Sequence, residues 1–126
     1  MTWQDAIKAT LNEFRGQPAS RGTYDCMQFV ARYVYHKTGV NHAAEFSYDT
    51  TEAAEEILST NGGVEGLISK FLGESRIPEV GDVVACHVEN IIVPGVFVGP
   101  YVWAFIHDND RGLSRLPTQS ILCGWG

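Results

Sequence analysis

The sequence predicts an α+β fold in one domain, residues 1–126, with N-terminal helices packed on a C-terminal antiparallel β-meander. Apolar residues recur at helical spacing up to about residue 72, whereas β-branched and aromatic runs separated by short turns follow from residue 83. Helices first and strands afterwards is the order typical of α+β proteins. A chain of 126 residues with 44% hydrophobic residues is long enough to bury a core without metal or disulfide support.

The first predicted helix begins after Thr2, which is a good N-cap, with Asp5 as its capping-box partner. Gly16 and Pro18 end the helical pattern. Its apolar residues fall on one stripe: Trp3, Ile7, Leu11 and Phe14.

The second predicted helix begins at Asp25 or Cys26. Asp25 is a favourable N-cap, and Gly39 can supply a left-handed C-terminal cap. This places Cys26 in the first turn of the helix. Its buried face is predicted to contain Phe29, Val30, Tyr33 and Val34.

Two shorter helices are predicted next. The third follows Asp49, with Glu52 as its capping-box partner, and ends at residues 61–63, Asn-Gly-Gly. The fourth runs over residues 64–72 and ends at Gly73.

Strands are predicted in the remaining part of the chain. Pro94 lies within the second strand and predicts an edge position or a bulge there, because proline has no N–H to donate. The predicted strands cover residues 83–88, 91–98, 101–106 and 113–116.

Composition excludes several classes of function. A net charge of -6 with scattered basic residues argues against nucleic-acid binding, which needs clustered Lys and Arg. No segment reaches the ~18 apolar residues of a membrane span, and the N-terminus lacks the pattern of a signal peptide, so we expect synthesis in a cytosol. Three cysteines favour reduced thiols over a disulfide framework, and we expect Cys86 and Cys123 to be packed among apolar neighbours.

Cys26 is the candidate reactive residue. A thiol at a helix N-terminus is stabilised as thiolate by the helix dipole, and the thiolate is the nucleophile. The neighbouring Asp25 opposes this by like-charge repulsion. A packed structural cysteine is the other interpretation, and position alone leaves both open.

Three short motifs together resemble the NlpC-type papain-like cysteine peptidases. They are Tyr24-Asp25-Cys26 opening a helix, Gly81-Asp82-Val83-Val84 opening a strand, and Gly95-Val96-Phe97-Val98-Gly99 on the next strand. The chain is most similar to small, divergent members from phage and prophage tail gene clusters, in which Thr-Gly follows the Asp-Cys pair, as Thr38-Gly39 does here. The resemblance implies a papain-like NlpC-type fold and a tail-associated protein.

The same resemblance implies an incomplete catalytic set. Cys26 matches the nucleophile, but Val93 stands where active members have the base histidine, and valine cannot transfer a proton. His107 matches the residue that orients the base. His87 is a possible replacement base if the strand register differs.

Other candidate sites are weaker. His36 and His42 lie near the far end of the second helix, where we expect surface positions. No spacing of histidines and cysteines indicates zinc, and His107, Asp108 and Asp110 resemble a turn with solvated carboxylates more than a cation site, so we expect no metal and no cofactor. We also expect exposed aromatic residues to offer a partner surface: Tyr101, Trp103 and Trp125.

Three functions follow as hypotheses. The leading one is a non-catalytic structural component of a phage tail, at its tip or baseplate, with other tail proteins as partners and the virion as its location. The second is an active cysteine endopeptidase or amidase that cleaves peptidoglycan peptides with Cys26 as nucleophile. The third is a module that binds cell-wall peptides without cutting them. The sequence leans towards a protein that is not an enzyme, because the base is missing.

Overall fold

Helices form the N-terminal part of the protein and strands the C-terminal part in the computed structural model, which describes residues 2–107 and 110–126. The helices in these ranges are α1 (Trp3–Phe14), α2 (Cys26–Thr38), α3 (Thr51–Thr60) and α4 (Gly63–Leu72). The strands are β1 (Val83–Val88), β2 (Ile91–Phe97), β3 (Val102–Ile106), β4 (Gly112–Leu116) and β5 (Ile121–Trp125). The predicted α+β class is confirmed.

Local capping signals position the helix starts. The Thr2 hydroxyl accepts a hydrogen bond from the Asp5 amide at 3.2 Å, as predicted. The predicted cap of α3, Asp49, is wrong by one residue, because the Thr50 hydroxyl accepts from the Ala53 amide at 3.1 Å instead. Side-chain oxygens of both residue types are good caps, so the sequence alone does not choose between neighbours.

The five strands form one antiparallel sheet in the order β4-β3-β2-β1-β5. Strands β1 to β4 form the predicted meander. The prediction missed β5, which lies beside β1 and pairs Trp125 with Val83. In this order β1 lies between β2 and β5, and β2 lies between β3 and β1, so both are interior strands.

Pro94 is therefore not on an edge strand, and the β1–β2 register passes through it without a bulge, so neither predicted setting is found. It lies opposite Ala85 in the β1–β2 ladder. On the other side, β2 and β3 pair only at Val96–Trp103 and Phe97–Val102, so their ladder stops before it reaches the proline. The missing N–H is accommodated by a shortened ladder within the sheet.

The sheet is curled. The connection from Leu116 to Ile121 joins the two outer strands and includes the 3-10 turn Thr118–Ser120. Five residue steps reach at most ~18 Å, whereas the outer strands of a flat five-stranded sheet lie about 19 Å apart. Curling brings the outer strands closer and encloses the face that the helices do not cover.

Apolar side chains consequently form two clusters, one on each face of the sheet. Between helices and sheet, α1, α2 and α4 pack on alternate residues of β1, β2 and β3. The enclosed face holds a smaller cluster: Val84, Cys86, Val93, Val102, Ala104, Ile106 and Leu116. The side chain of Cys26 packs against both clusters, at the point where α2 meets the sheet.

Polar anchors fix α2 and β5 relative to the sheet. The Tyr33 hydroxyl donates to the Gly81 carbonyl from the buried face of α2. The indole of Trp125 donates to the Ser69 hydroxyl at 3.0 Å. Trp125 is 1% exposed, so its predicted role as an exposed aromatic is wrong. No helix in residues 2–107 and 110–126 is long and apolar enough to cross a membrane.

Candidate functional site

The site is built around the N-terminus of α2. Asp25 is completely buried and accepts two backbone hydrogen bonds, from Gln28 to Oδ1 at 2.9 Å and from Gly22 to Oδ2 at 2.7 Å. The first bond caps the helix, and the second ties the preceding loop to it. Cys26 is thereby held in the first turn of α2, as predicted.

The three positions that the sequence singled out line one cleft. Cys26, Val93 and His107 come from α2, β2 and the residue after β3, and the fold brings them to the same place. The cleft has a volume of about 210 Å³. Its remaining walls come from the loop before α2, from α3 and from the ends of β2 and β3: Arg21, Thr51, Ala54, Glu55, Leu58, Ile91, Ile92 and Ile106.

The thiol of Cys26 is held in its protonated form. Desolvation by the surrounding protein raises its pKa to about 12, and the Asp25 carboxylate adds to this rise. The Arg21 guanidinium and the backbone amides of Cys26 and Met27 lower the pKa by less. Although helix position favours the thiolate, burial and the adjacent carboxylate outweigh it. With its pKa raised in this way the thiol is protonated at neutral pH, and the protonated thiol is not the nucleophile.

Val93 contributes only an apolar wall. It is 3% exposed, lies opposite Cys86 in the β1–β2 ladder, and belongs to the cluster on the enclosed face of the sheet. No atom of its side chain can accept the thiol proton.

His107 is engaged by a residue that the sequence analysis did not single out. A guanidinium nitrogen of Arg21 lies 3.1 Å from its Nδ1. Because an arginine only donates, Nδ1 accepts this bond, and the proton of the neutral ring is then on Nε2. Because Nδ1 accepts the hydrogen bond from Arg21, this atom does not hold a catalytic base in position.

A second missed residue, Tyr48, lies beside Asp25 in the loop before α3. Burial, together with the nearby Asp25 carboxylate, raises the pKa of its phenol well above the usual range. Its carbonyl packs so closely on Gly22 that a Cβ there would lie 1.9 Å from the oxygen. Gly22 also has a φ of +88°. A glycine at this position was the only sequence signal for this contact.

The other histidines lie elsewhere. His87 is exposed at the end of β1 and does not line the cleft, so the structure does not place it as a replacement base. His36 pairs with Glu13 of α1 and is half-buried, and His42 is also half-buried, 3.6 Å from Glu45. Both histidines were expected at the surface; they are partly exposed, and neither lines the cleft of Cys26.

The remaining candidates give no second site. Cys86 is buried, whereas Cys123 is only half-buried, with its sulfur 3.8 Å from a Glu65 carboxylate oxygen. Among residues 2–107 and 110–126, no group of histidine, cysteine and carboxylate side chains could hold a metal ion. Asp108 of the predicted acidic turn lies outside the described residues. An apolar cavity beneath α2 measures about 30 Å³, room for about one water.

Fold and site together define an α+β domain with a half-buried, protonated cysteine in the first turn of a helix. The chain belongs to the family described as a domain of unknown function, DUF6950, whose model matches residues 1–126. No curated protein and no solved structure matches the chain.

Proposed function

We propose that this protein is a structural component of a phage tail, at the tip or baseplate, built on a catalytically incomplete NlpC-type fold. One observation carries the non-catalytic part of the proposal. In the cleft that holds Cys26, the position that the resemblance assigns to the base is Val93, and Arg21 donates to Nδ1 of His107, the histidine that the resemblance assigns as its orienter.

The NlpC-type fold is supported by where the motifs lie. The Asp25-Cys26 pair opens α2, the Gly81-Asp82 pair immediately precedes β1, and the strand with Val93 is the next one along the chain. Two of these elements, α2 and β2, meet at one cleft through Cys26 and Val93, as a shared site requires.

The proposal that the site is inactive is supported by the residues around Cys26 that could accept its proton. A cysteine nucleophile must lose its proton before attack, and a neighbouring group must accept it. Arg21 has no acceptor, and the Asp25 carboxylate is engaged by two backbone amides as the cap of α2 and the anchor of the preceding loop. The Nδ1 of His107 accepts from Arg21. These three neighbours are engaged in other contacts, and the other carboxylate among the lining residues of the cleft, Glu55, is exposed to solvent.

The tail role is supported by the resemblance to members from tail gene clusters. The test is to tag the protein in a phage or prophage that encodes it and to search purified particles by mass spectrometry. We expect the protein in particles, together with neighbouring tail proteins, and we expect Cys26→Ala particles to retain their infectivity. A protein found only as a free monomer outside the particles would contradict the tail role.

The cleft itself favours a second candidate, a non-cleaving module for cell-wall peptides. Apolar walls at Ile92, Val93 and Leu58 face a region that also contains Arg21. Its volume of about 210 Å³ is below the ~300–1,000 Å³ of typical ligand pockets, so it suits one or two residues of a peptide. Calorimetric titration with muropeptides would give a heat of binding for this module and none for a purely structural protein.

The same muropeptides test the remaining alternative, an active hydrolase. Mass spectrometry after prolonged incubation would detect a cut peptide bond. We expect no product from either the native protein or Cys26→Ala. A product that disappears only in the variant would establish Cys26 as a nucleophile and would overturn the non-catalytic proposal.

A further inference from the structure

An open cleft away from the Cys26 site contains two arginines. It lies on the helix-side face of β3 and β4, beside the end of α1, and has a volume of about 580 Å³. This is within the size range of ligand pockets. We call it the β4 cleft, and its lining residues are Arg15, Gly16, Trp103, Leu113 and Arg115.

These two arginines differ from the other four in the chain. Among the described residues, the other four each contact a carboxylate or histidine, whereas Arg15 and Arg115 make no ion pair. The paired ones are Arg21 with His107, Arg32 with Glu13, Arg76 with Asp82, and Arg111 with Glu89. In a protein of net charge -6, the β4 cleft is a local site of unneutralised positive charge.

Aromatic rings hold one of these guanidinium groups in place. The guanidinium of Arg115 lies over the rings of Tyr101 and Trp103, at 5.3 and 5.4 Å from their centroids. The two rings meet edge to face at 5.5 Å. Arg115 remains exposed, so its N–H groups are available to a partner. A guanidinium positioned in this way loses less side-chain entropy when it binds a carboxylate.

The strand that carries Arg115 has a free edge. β4 is the outermost strand of the sheet, and no segment in the described ranges pairs with its outer side. The opposite outer strand, β5, is partly covered, because Arg76 and Gly124 exchange two backbone hydrogen bonds at 2.8 and 3.0 Å. An unpaired edge presents backbone N–H and C=O groups to an additional strand.

We propose that β4 and the β4 cleft bind an extended acidic segment of a partner protein, which adds to the sheet as a sixth strand. Alternate side chains of such a segment lie on the face that carries Leu113 and Arg115. Carboxylates on that face would reach Arg115 and Arg15, and the side chains between them would lie on the opposite face. A second copy of this chain is the poorer occupant, because pairing β4 with β4 brings like charges together.

The experiment is NMR of the ¹⁵N-labelled protein titrated with a model peptide, acetylated and amidated, of three alternating Glu-Val repeats. We expect the amide signals of Gly112–Leu116 and the indole signal of Trp103 to shift, and the affinity to fall as salt is added. A peptide of Lys-Val repeats should cause no such shifts. Shifts that map elsewhere, or none at millimolar peptide, would overturn the proposal.

Variants then test the charges. Arg115→Glu and, separately, Arg15→Glu should weaken binding at least fivefold, whereas Lys8→Glu makes the same change of net charge at an exposed position on α1 and should not. Thermal melting confirms that each variant is folded. Equal affinities for all three variants would overturn the role of the cleft.

Backbone pairing is tested with N-methylated peptides. Only every second amide of an added strand faces β4, so methylating either all glutamate or all valine nitrogens should abolish binding in one peptide and spare the other. Equal binding of both would contradict strand addition. Shifts of the same β4 amides with protein concentration alone would identify a second copy as the occupant, and would also overturn the proposal. The peptide-binding experiments do not involve the Cys26 site. Their failure would therefore leave the proposed function untouched, and failure of the proposed function would leave the β4 proposal untouched.

Discussion

Arg21 and His107, which are 86 positions apart in the chain, are joined by a hydrogen bond of 3.1 Å beside the N-terminus of α2. The contact engages Nδ1 of His107, the residue that the sequence resemblance matches to the orienter of a catalytic base. Desolvation and the Asp25 carboxylate keep the Cys26 thiol protonated, whereas Arg21 acts more weakly in the opposite direction.

The buried carboxylate of Asp25 is expected to stabilise the fold and to suppress the reactivity of Cys26. Asp25→Ala leaves the amides of Gly22 and Gln28 without their acceptor, so we expect a loss of about 2 to 3 kcal/mol in the free energy of unfolding. Chemical denaturation measures this loss.

Asp25→Asn separates the two effects. It keeps one acceptor oxygen and removes the charge, so it should cost less stability than Asp25→Ala, roughly 1 to 2 kcal/mol. Because the carboxylate helps to raise the thiol pKa, Cys26 should be alkylated faster in this variant at a given pH. An unchanged alkylation rate would show that the charge of Asp25 does not act on the thiol.

The close approach of two loops predicts a strong effect at Gly22. A Cβ there would lie 1.9 Å from the Tyr48 carbonyl oxygen, and φ is +88°, so Gly22→Ala combines a clash with backbone strain. Gly16→Ala is a matched control, because its φ is +76° but nothing lies within 4 Å of its Cβ. We expect Gly16→Ala to cost roughly 1 to 2 kcal/mol, and Gly22→Ala to cost about 1 to 3 kcal/mol more. If Gly22→Ala and Gly16→Ala unfold at the same urea concentration, the close contact between the Gly22 and Tyr48 loops is contradicted.

Restoring a base tests whether Val93 stands in the position that the resemblance assigns to it. In Val93→His the imidazole should assist loss of the Cys26 proton, and we expect alkylation at pH 7 to rise at least tenfold, on the order of 1.4 kcal/mol. Burying a polar ring beside Cys86 should also destabilise the protein by about 1 to 3 kcal/mol.

Val93→Asn is the control for that substitution. It is also polar and buried but cannot titrate, so it should lose stability without a gain in alkylation rate. An equal gain in both variants would mean that loosened packing exposes the thiol. No gain in Val93→His would count against the assigned position.

The sequence predicts what local signals control. Thr2, Asp25 and Gly39 are caps whose effect depends on a few neighbouring residues, and each is found where predicted. Likewise, alternating apolar runs separated by turns predict β1 to β4, with ends that differ by no more than one residue.

Non-local pairing explains what the sequence does not predict. β5 contains Gly124, which lowers strand propensity, and its conformation is set by pairing with β1 about 40 positions earlier. Pro94 suggested that β2 is an edge strand, but β2 lies between β1 and β3, and these neighbours are set by the order of the strands in the sheet rather than by the proline. At the site, Cys26, Val93 and His107 are predicted from motifs, whereas Arg21 and Tyr48 carry no motif and enter through loop packing.

The most direct test of the central claim is the pH dependence of Cys26 alkylation by iodoacetamide, in a variant with Cys86→Ser and Cys123→Ser. The alkylation rate follows the thiolate fraction, and burial together with Asp25 raises the thiol pKa to about 12. We therefore expect slow alkylation at pH 7 and a rate still rising with pH above 9. Rapid alkylation at pH 7, with a midpoint well below the ~8.5 of a free thiol, would show a thiolate poised for attack and would contradict the non-catalytic account.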